Sequence, residues 1–121
     1  MVTIKSYTDI SQSKTLSKIL PIESADMRYA PFGDTHPWVW DGNLLERGAI
    51  PCWSLAALLN ILAKIASKID DDGSANLSSF MEQWSVNMFD CPVEATDNYD
   101  NPIDACVAMI EKLHELNLLR L

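Results

Sequence analysis

Apolar side chains recur at helical spacing in two places along this chain. From Ser54 onward, Leu55, Leu58, Leu59, Leu62, Ile65, Ala66 and Ile69 follow one another at steps of three and four. That period gathers them on one face of a helix and turns Asn60, Lys64, Ser67 and Lys68 largely to the other. Pro51 precedes this helix, Cys52 and Trp53 lead into it, and Asp70-Asp71-Asp72-Gly73 ends it. The second stretch begins at Asn101, a good N-cap, with Pro102 at the first helical position and Asp104 near the positive end of the helix dipole. Ile103, Cys106, Val107, Ile110 and Leu113 supply its buried stripe. The helix is expected to fray near Asn117, leaving Leu118, Leu119 and Leu121 as an apolar tail.

A third, weaker helix is predicted near the N-terminus. Asp9 or Ser11 caps it, Ile10, Leu16, Ile19 and Leu20 form a partial stripe, and Pro21 stops it. Its Ser and Thr content makes it dependent on the rest of the fold. Between the helices the pattern is that of short strands. Residues 25–29 and 38–40 are candidates before the central helix, with Asp41-Gly42-Asn43 as a turn signal. Residues 77–81 and 84–89 are candidates after it. In the last of these, Trp84, Val86 and Met88 alternate with Ser85 and Asn87, the period of a half-buried strand. Residues 90–101 read as an acidic loop. The pattern predicts an α+β fold: a small antiparallel sheet with two main helices on one face and a weaker N-terminal helix. No linker divides residues 1–121, so one domain is expected. Pro51-Cys52-Trp53 and Pro102-Ile103-Asp104, each leading into an apolar helix, hint at a faint internal repeat.

Composition agrees with a folded chain. Of 121 residues 48% are hydrophobic, including four Trp, which suits a single core rather than a disordered polymer. No apolar run approaches the roughly 18 residues of a membrane span. The opening stretch, Met1 to Asp9, lacks the apolar core and small-residue cleavage site of a secretory signal, so the expected location is cytoplasmic, without a membrane partner. Cys52, Cys91 and Cys106 are odd in number and form no C-x-x-C pair, so reduced thiols are expected.

The net charge of −8 has one source. Residues 70–104 hold nine acids (Asp70, Asp71, Asp72, Glu82, Asp90, Glu94, Asp97, Asp100 and Asp104) and no Lys or Arg. Such a segment repels phosphate backbones, so no nucleic-acid partner is expected through it. It is either a solvated face or a surface that attracts basic groups.

Four isolated glycines leave no G-x-G-x-x-G or P-loop to be written, and neither G-x-S-x-G nor H-E-x-x-H occurs. Cys52, His36 and Asp34 are the right residue types for an activated thiolate, with His114 the other candidate base, although their spacing alone assembles nothing. Cys91, Cys106, His36 and His114 are zinc-type ligands without the paired spacing of a zinc site. A calcium loop starting at Asp70 requires Gly at its sixth position and Glu at its twelfth, where this chain has Ala75 and Met81. No cofactor or metal is therefore expected. Trp38-Val39-Trp40 is the most suggestive binding feature: in a strand, the two rings share one face and form a platform, unless they cover the core.

Three blocks carry a resemblance: Leu20-Pro21-Ile22-Glu23-Ser24-Ala25-Asp26-Met27, Ile50-Pro51-Cys52-Trp53-Ser54-Leu55-Ala56-Ala57-Leu58-Leu59 and Asn101-Pro102-Ile103-Asp104-Ala105-Cys106-Val107. Together they resemble an uncharacterised group of small proteins from gut anaerobic bacteria and their phages or mobile elements. The resemblance implies a small cytoplasmic protein, an accessory factor of a mobile element, and it transfers no activity or site residue. The leading expectation is a non-enzymatic accessory or interaction protein that presents a surface, with Trp38, Trp40, Leu118, Leu119 and Leu121 as contact groups. Its partner is another protein or a second copy meeting through the C-terminal helix. Two alternatives remain: an acidic mimic of nucleic acid that blocks a DNA-binding protein, and a small enzyme built on an unrecognised Cys/His site.

Overall fold

The computed structural model describes residues 5–31, 36–40 and 47–121. The turn expected at Asp41-Gly42-Asn43 lies outside the described residues, as does Asp34. The fold is α+β, and the described residues form three helices and two small antiparallel sheets in place of the one sheet expected. The chain divides into two compact units, residues 6–57 and residues 1–5 with 58–121.

In the first unit, α1 (Ile10–Leu16) starts at Asp9 with a full capping box. The Asp9 carboxylate accepts from Gln12 N at 2.7 Å, and the Gln12 side chain accepts from Asp9 N at 3.1 Å. Regular helix ends at Leu16, and turns carry the chain on to Pro21. After a 3-10 turn at Ile22–Ser24 come β1 (Met27–Tyr29), β2 (Trp38–Val39) and β3 (Ile50–Cys52), in the spatial order β2-β1-β3. β3 occupies what was expected to be the approach to the central helix, so Cys52 is a strand residue. Pro51 fits there because β3 lies at a sheet edge, where a missing N–H breaks no ladder bond. α1 packs against β3, and residues 6–8 run beside 53–55 through Thr8 N to Trp53 O at 2.9 Å and Leu55 N to Ser6 O at 3.1 Å. Leu16, Leu20, Ala25, Tyr29, Cys52 and Trp53 form the buried interior of this unit.

α2 (Leu55–Ile69) is the expected central helix. Ser54 caps it: its Oγ accepts from Ala57 N at 3.2 Å while its hydroxyl donates to Asp26 Oδ2, and Asp26 Oδ1 accepts from Ser54 N at 2.9 Å. Leu58, Ile61, Leu62, Ile65 and Ala66 are buried, and Asn60, Lys64, Ser67 and Lys68 are exposed. Burying each such Leu or Ile stabilises the fold by about 1.5–3 kcal/mol before chain entropy is counted. The Asp-rich turn then stops the helix. Gly73 N donates to Asp70 O at 2.8 Å, and Asp72 N to the Asp70 carboxylate at 2.8 Å. A Cβ on Gly73 would stand 2.2 Å from Ala66 O, so only glycine fits this close approach.

β4 (Ser74–Phe80) and β5 (Gln83–Phe89) form a hairpin closed by Met81 and Glu82. Ala75, Leu77 and Ser79 face Met88, Val86 and Trp84 on one side; Ser74, Asn76, Ser78 and Phe80 face Phe89, Asn87, Ser85 and Gln83 on the other. The 90–101 stretch is irregular but not detached. Trp84 N donates to Tyr99 O at 2.7 Å, Tyr99 N to Trp84 O at 2.8 Å and Thr96 N to Val86 O at 3.0 Å, which closes the outer edge of β5. α3 (Pro102–Glu115) packs against β5. Asn101 caps it, accepting from Asp104 N at 2.9 Å. The expected fraying at Asn117 is replaced by a defined stop. Asn117 adopts the left-handed region (φ 57). Leu118 N donates to Leu113 O at 2.8 Å and Asn117 N to His114 O at 3.0 Å, the pair of bonds that define a Schellman cap.

Candidate functional site

Among the described residues, several large apolar side chains are exposed. Trp38 is 61% exposed and Val39 83% exposed. Both lie on β2, an edge strand of two residues held to β1 by the pairs Arg28–Trp38 and Met27–Val39. Successive strand side chains point to opposite faces, so each face of β2 presents a largely exposed side chain. Trp40 differs. It sits just past the strand, is half-buried, and its backbone N–H donates to Asp26 O at 3.0 Å. The expected pair of equal rings is therefore one open indole beside one partly covered indole. Of the other tryptophans, Trp53 is fully buried, its Nε1 donating to Ser24 Oγ at 3.0 Å, and Trp84 is half-buried on the inner face of the hairpin.

The C-terminal leucines separate as well. The Schellman cap folds the chain back, so Leu118 and Leu119 are half-buried and Leu121 stays exposed. The apolar face of α3, which a helix-mediated dimer would use, is already occupied: Ile103, Cys106, Val107, Met109, Ile110 and Leu113 are all buried within the chain.

A second apolar point escaped the sequence reading. Phe80 and Met81, at the tip of the β4–β5 hairpin, are 79% and 81% exposed. Met81 and Glu82 hold φ values of 52° and 64°, the mirror-image turn that two-residue hairpins favour and that Asn-Gly normally supplies. No turn residue in the sequence marks it.

The thiols are arranged against nucleophilic chemistry. Cys52 is fully buried. Its Sγ lies 3.4 Å from Thr8 O and 3.5 Å from Thr8 Oγ1, while Thr8 Oγ1 also meets Ser13 Oγ at 2.7 Å and accepts from Trp53 N at 3.2 Å. Burial pushes the Cys52 thiol up, an effect that the hydroxyl contacts of Thr8 and Ser13 only partly oppose. A nucleophilic cysteine needs the opposite shift. Burial likewise raises the Tyr29 phenol, which donates to Thr8 O at 2.6 Å. Cys106 is buried in α3 and pushed up to about 12 by burial. Cys91 is half-buried and raised by burial and by the nearby Asp70 and Asp90. His36 and His114 are both exposed. Among the described residues no group of three or more His, Cys, Asp or Glu side chains is placed to hold a metal.

Of the nine acids in residues 70–104, eight are exposed. They occupy the turn before β4, the hairpin turn, the end of β5 and the loop after it. The ninth, Asp104, bonds Lys5 Nζ at 3.0 Å. No helix among the described residues is long and apolar enough to cross a membrane.

The chain matches no protein-family model, no curated protein and no solved structure. Its functional reading therefore rests on its own surface.

Proposed function

We propose that this protein is a non-enzymatic accessory protein that works by binding another protein through the surface centred on Trp38. The observation that carries this reading is the exposure of the Trp38 indole and the Val39 side chain on both faces of an edge strand. Large rings with a polar N–H are the side chains that most often anchor protein interfaces, and truncating such an anchor commonly costs 2 kcal/mol or more of binding, on the order of thirtyfold. The three thiols support the reading from the other side, because each is held protonated rather than activated.

The test is a comparison of the wild-type chain with Trp38→Ala. The exposed ring contributes little to folding, so thermal unfolding is expected to be unchanged. A partner that co-purifies with the tagged chain from its native cells is expected to bind the variant at least about thirtyfold more weakly in a direct titration. Equal affinity of the two proteins for that partner would overturn the proposal.

A further inference from the structure

The second exposed feature is not a side chain but a backbone edge. In a hairpin closed by two residues, the pair flanking the turn is hydrogen-bonded, so Phe80–Gln83, Ser78–Ser85, Asn76–Asn87 and Ser74–Phe89 exchange their ladder bonds inward. The N–H and C=O groups of the alternate residues point outward. On β5 these belong to Trp84, Val86 and Met88, and the hydrogen bonds of Trp84 and Val86 to Tyr99 and Thr96 show that edge in use. On β4 they belong to Ala75, Leu77 and Ser79, and among the described residues nothing pairs with them.

An open edge of seven residues is usually protected by a lysine, a proline or a bulge. β4 reads Ser-Ala-Asn-Leu-Ser-Ser-Phe and carries none of these. Burial also stops short of it: Val86 and Met88 are buried, whereas their cross-strand partners Leu77 and Ala75 are only half-buried. The inner apolar face thus runs on to a rim that one more strand would cover.

We propose that β4 accepts an extended segment of another protein as an added antiparallel strand, and that this segment carries basic residues on either side of a neutral, alternating centre. Charge selects the occupant. The strand itself is neutral, but Asp70, Asp71 and Asp72 stand before it, Glu82 after it and Asp90 across from its start, all exposed. A second copy of this chain fits poorly. Antiparallel pairing about Leu77 brings Asp72 of one copy towards Glu82 of the other at both ends, and a two-residue shift either puts Asp70 there or leaves only residues 76–80 paired. A lysine or arginine at each end of the incoming strand meets acids instead. Backbone bonds supply affinity in such strand addition, and alternate side chains lying over Ala75 and Leu77 supply selectivity.

The probe is a synthetic peptide of six alternating Val and Thr residues with two lysines at each end, compared with the same peptide carrying glutamates there. Amide hydrogen exchange is read on the intact chain. With the lysine peptide, exchange at Ala75, Leu77 and Ser79 is expected to slow about tenfold or more, while Val86 is unchanged; with the glutamate peptide, no site responds. Ser79→Pro removes one outward N–H and no ladder bond, so it is expected to weaken the lysine peptide about tenfold. Trp38→Ala is expected to leave peptide binding intact, which separates this proposal from the preceding one. If Ser79→Pro fails to fold, the exchange pattern of the unaltered chain decides. Absence of protection, equal response to both peptides, or protection without peptide in a particle that light scattering shows to be a dimer would each overturn the proposal.

Discussion

Thr8 shows how much structure one small side chain can organise. Its hydroxyl contacts Ser13 Oγ and Cys52 Sγ and accepts from Trp53 N, and its carbonyl accepts the Tyr29 phenol. Among the described residues no buried side-chain nitrogen or oxygen is left without a partner, and Thr8 is the reason for several of them. Thr8→Val keeps the shape and removes the hydroxyl, stranding the buried Trp53 N–H. The expected loss is about 1–3 kcal/mol, read as a lower urea midpoint. Cys106 supports a prediction in pH. Its native thiol is pushed up to about 12 from an ordinary value of 9.0. Below the ordinary value both states keep the proton. Above it the unfolded chain ionises first, and stability falls as pH rises from about 9 towards about 12. Cys106→Ala lowers stability at neutral pH by leaving a cavity, but its urea midpoint is expected to decline less steeply across that alkaline window.

At the scale of elements, local and non-local information part company. α3 was legible from Asn101, Pro102 and the stripe that follows because capping and helical period involve residues three or four apart. The alternation of Trp84, Val86 and Met88 revealed β5 for the same reason. β3 was missed because Pro51 and Cys52 carry no strand signal of their own; β1 makes them a strand by pairing with them. β4 was expected to reach Met81 and stops at Phe80 because Met81 and Glu82, poor turn formers, are held in the left-handed region by the strands on either side. That conflict is testable. Glu82→Gly relieves the left-handed strain and is expected to stabilise the protein by about 1 kcal/mol, raising its urea midpoint.

For the whole molecule, the charge is unevenly shared. Residues 6–57 carry four basic and six acidic side chains; residues 1–5 with 58–121 carry five basic and eleven acidic. Eight acids of the 70–104 segment are exposed, and they repel one another through water. Screening shortens the reach of that repulsion to about 8–10 Å near physiological salt and to about 3 Å at 1 M. Adding sodium chloride is therefore expected to raise stability by about 1 kcal/mol or less, read as a higher urea midpoint, and a midpoint that falls would show that attractive pairs such as Lys5–Asp104 dominate instead. The candidate surfaces belong to this scale too. Trp38 was visible in the sequence as a residue capable of binding, but its exposure was not, since exposure depends on what the rest of the chain brings alongside. Leu118 and Leu119 looked free for the same reason and are partly covered.

By itself the sequence determined the three helices, the Asn101 cap, the Asp-Gly stop of α2, the amphipathic period of β5 and the concentration of acid between residues 70 and 104. Each of these depends on side chains within a few positions of one another. Tertiary structure alone decided which strands share a sheet, that β3 exists, that β4 keeps an open edge, and that Trp38 and Phe80 face solvent. Those outcomes depend on hydrogen bonds and contacts between residues distant along the chain, which no local pattern encodes.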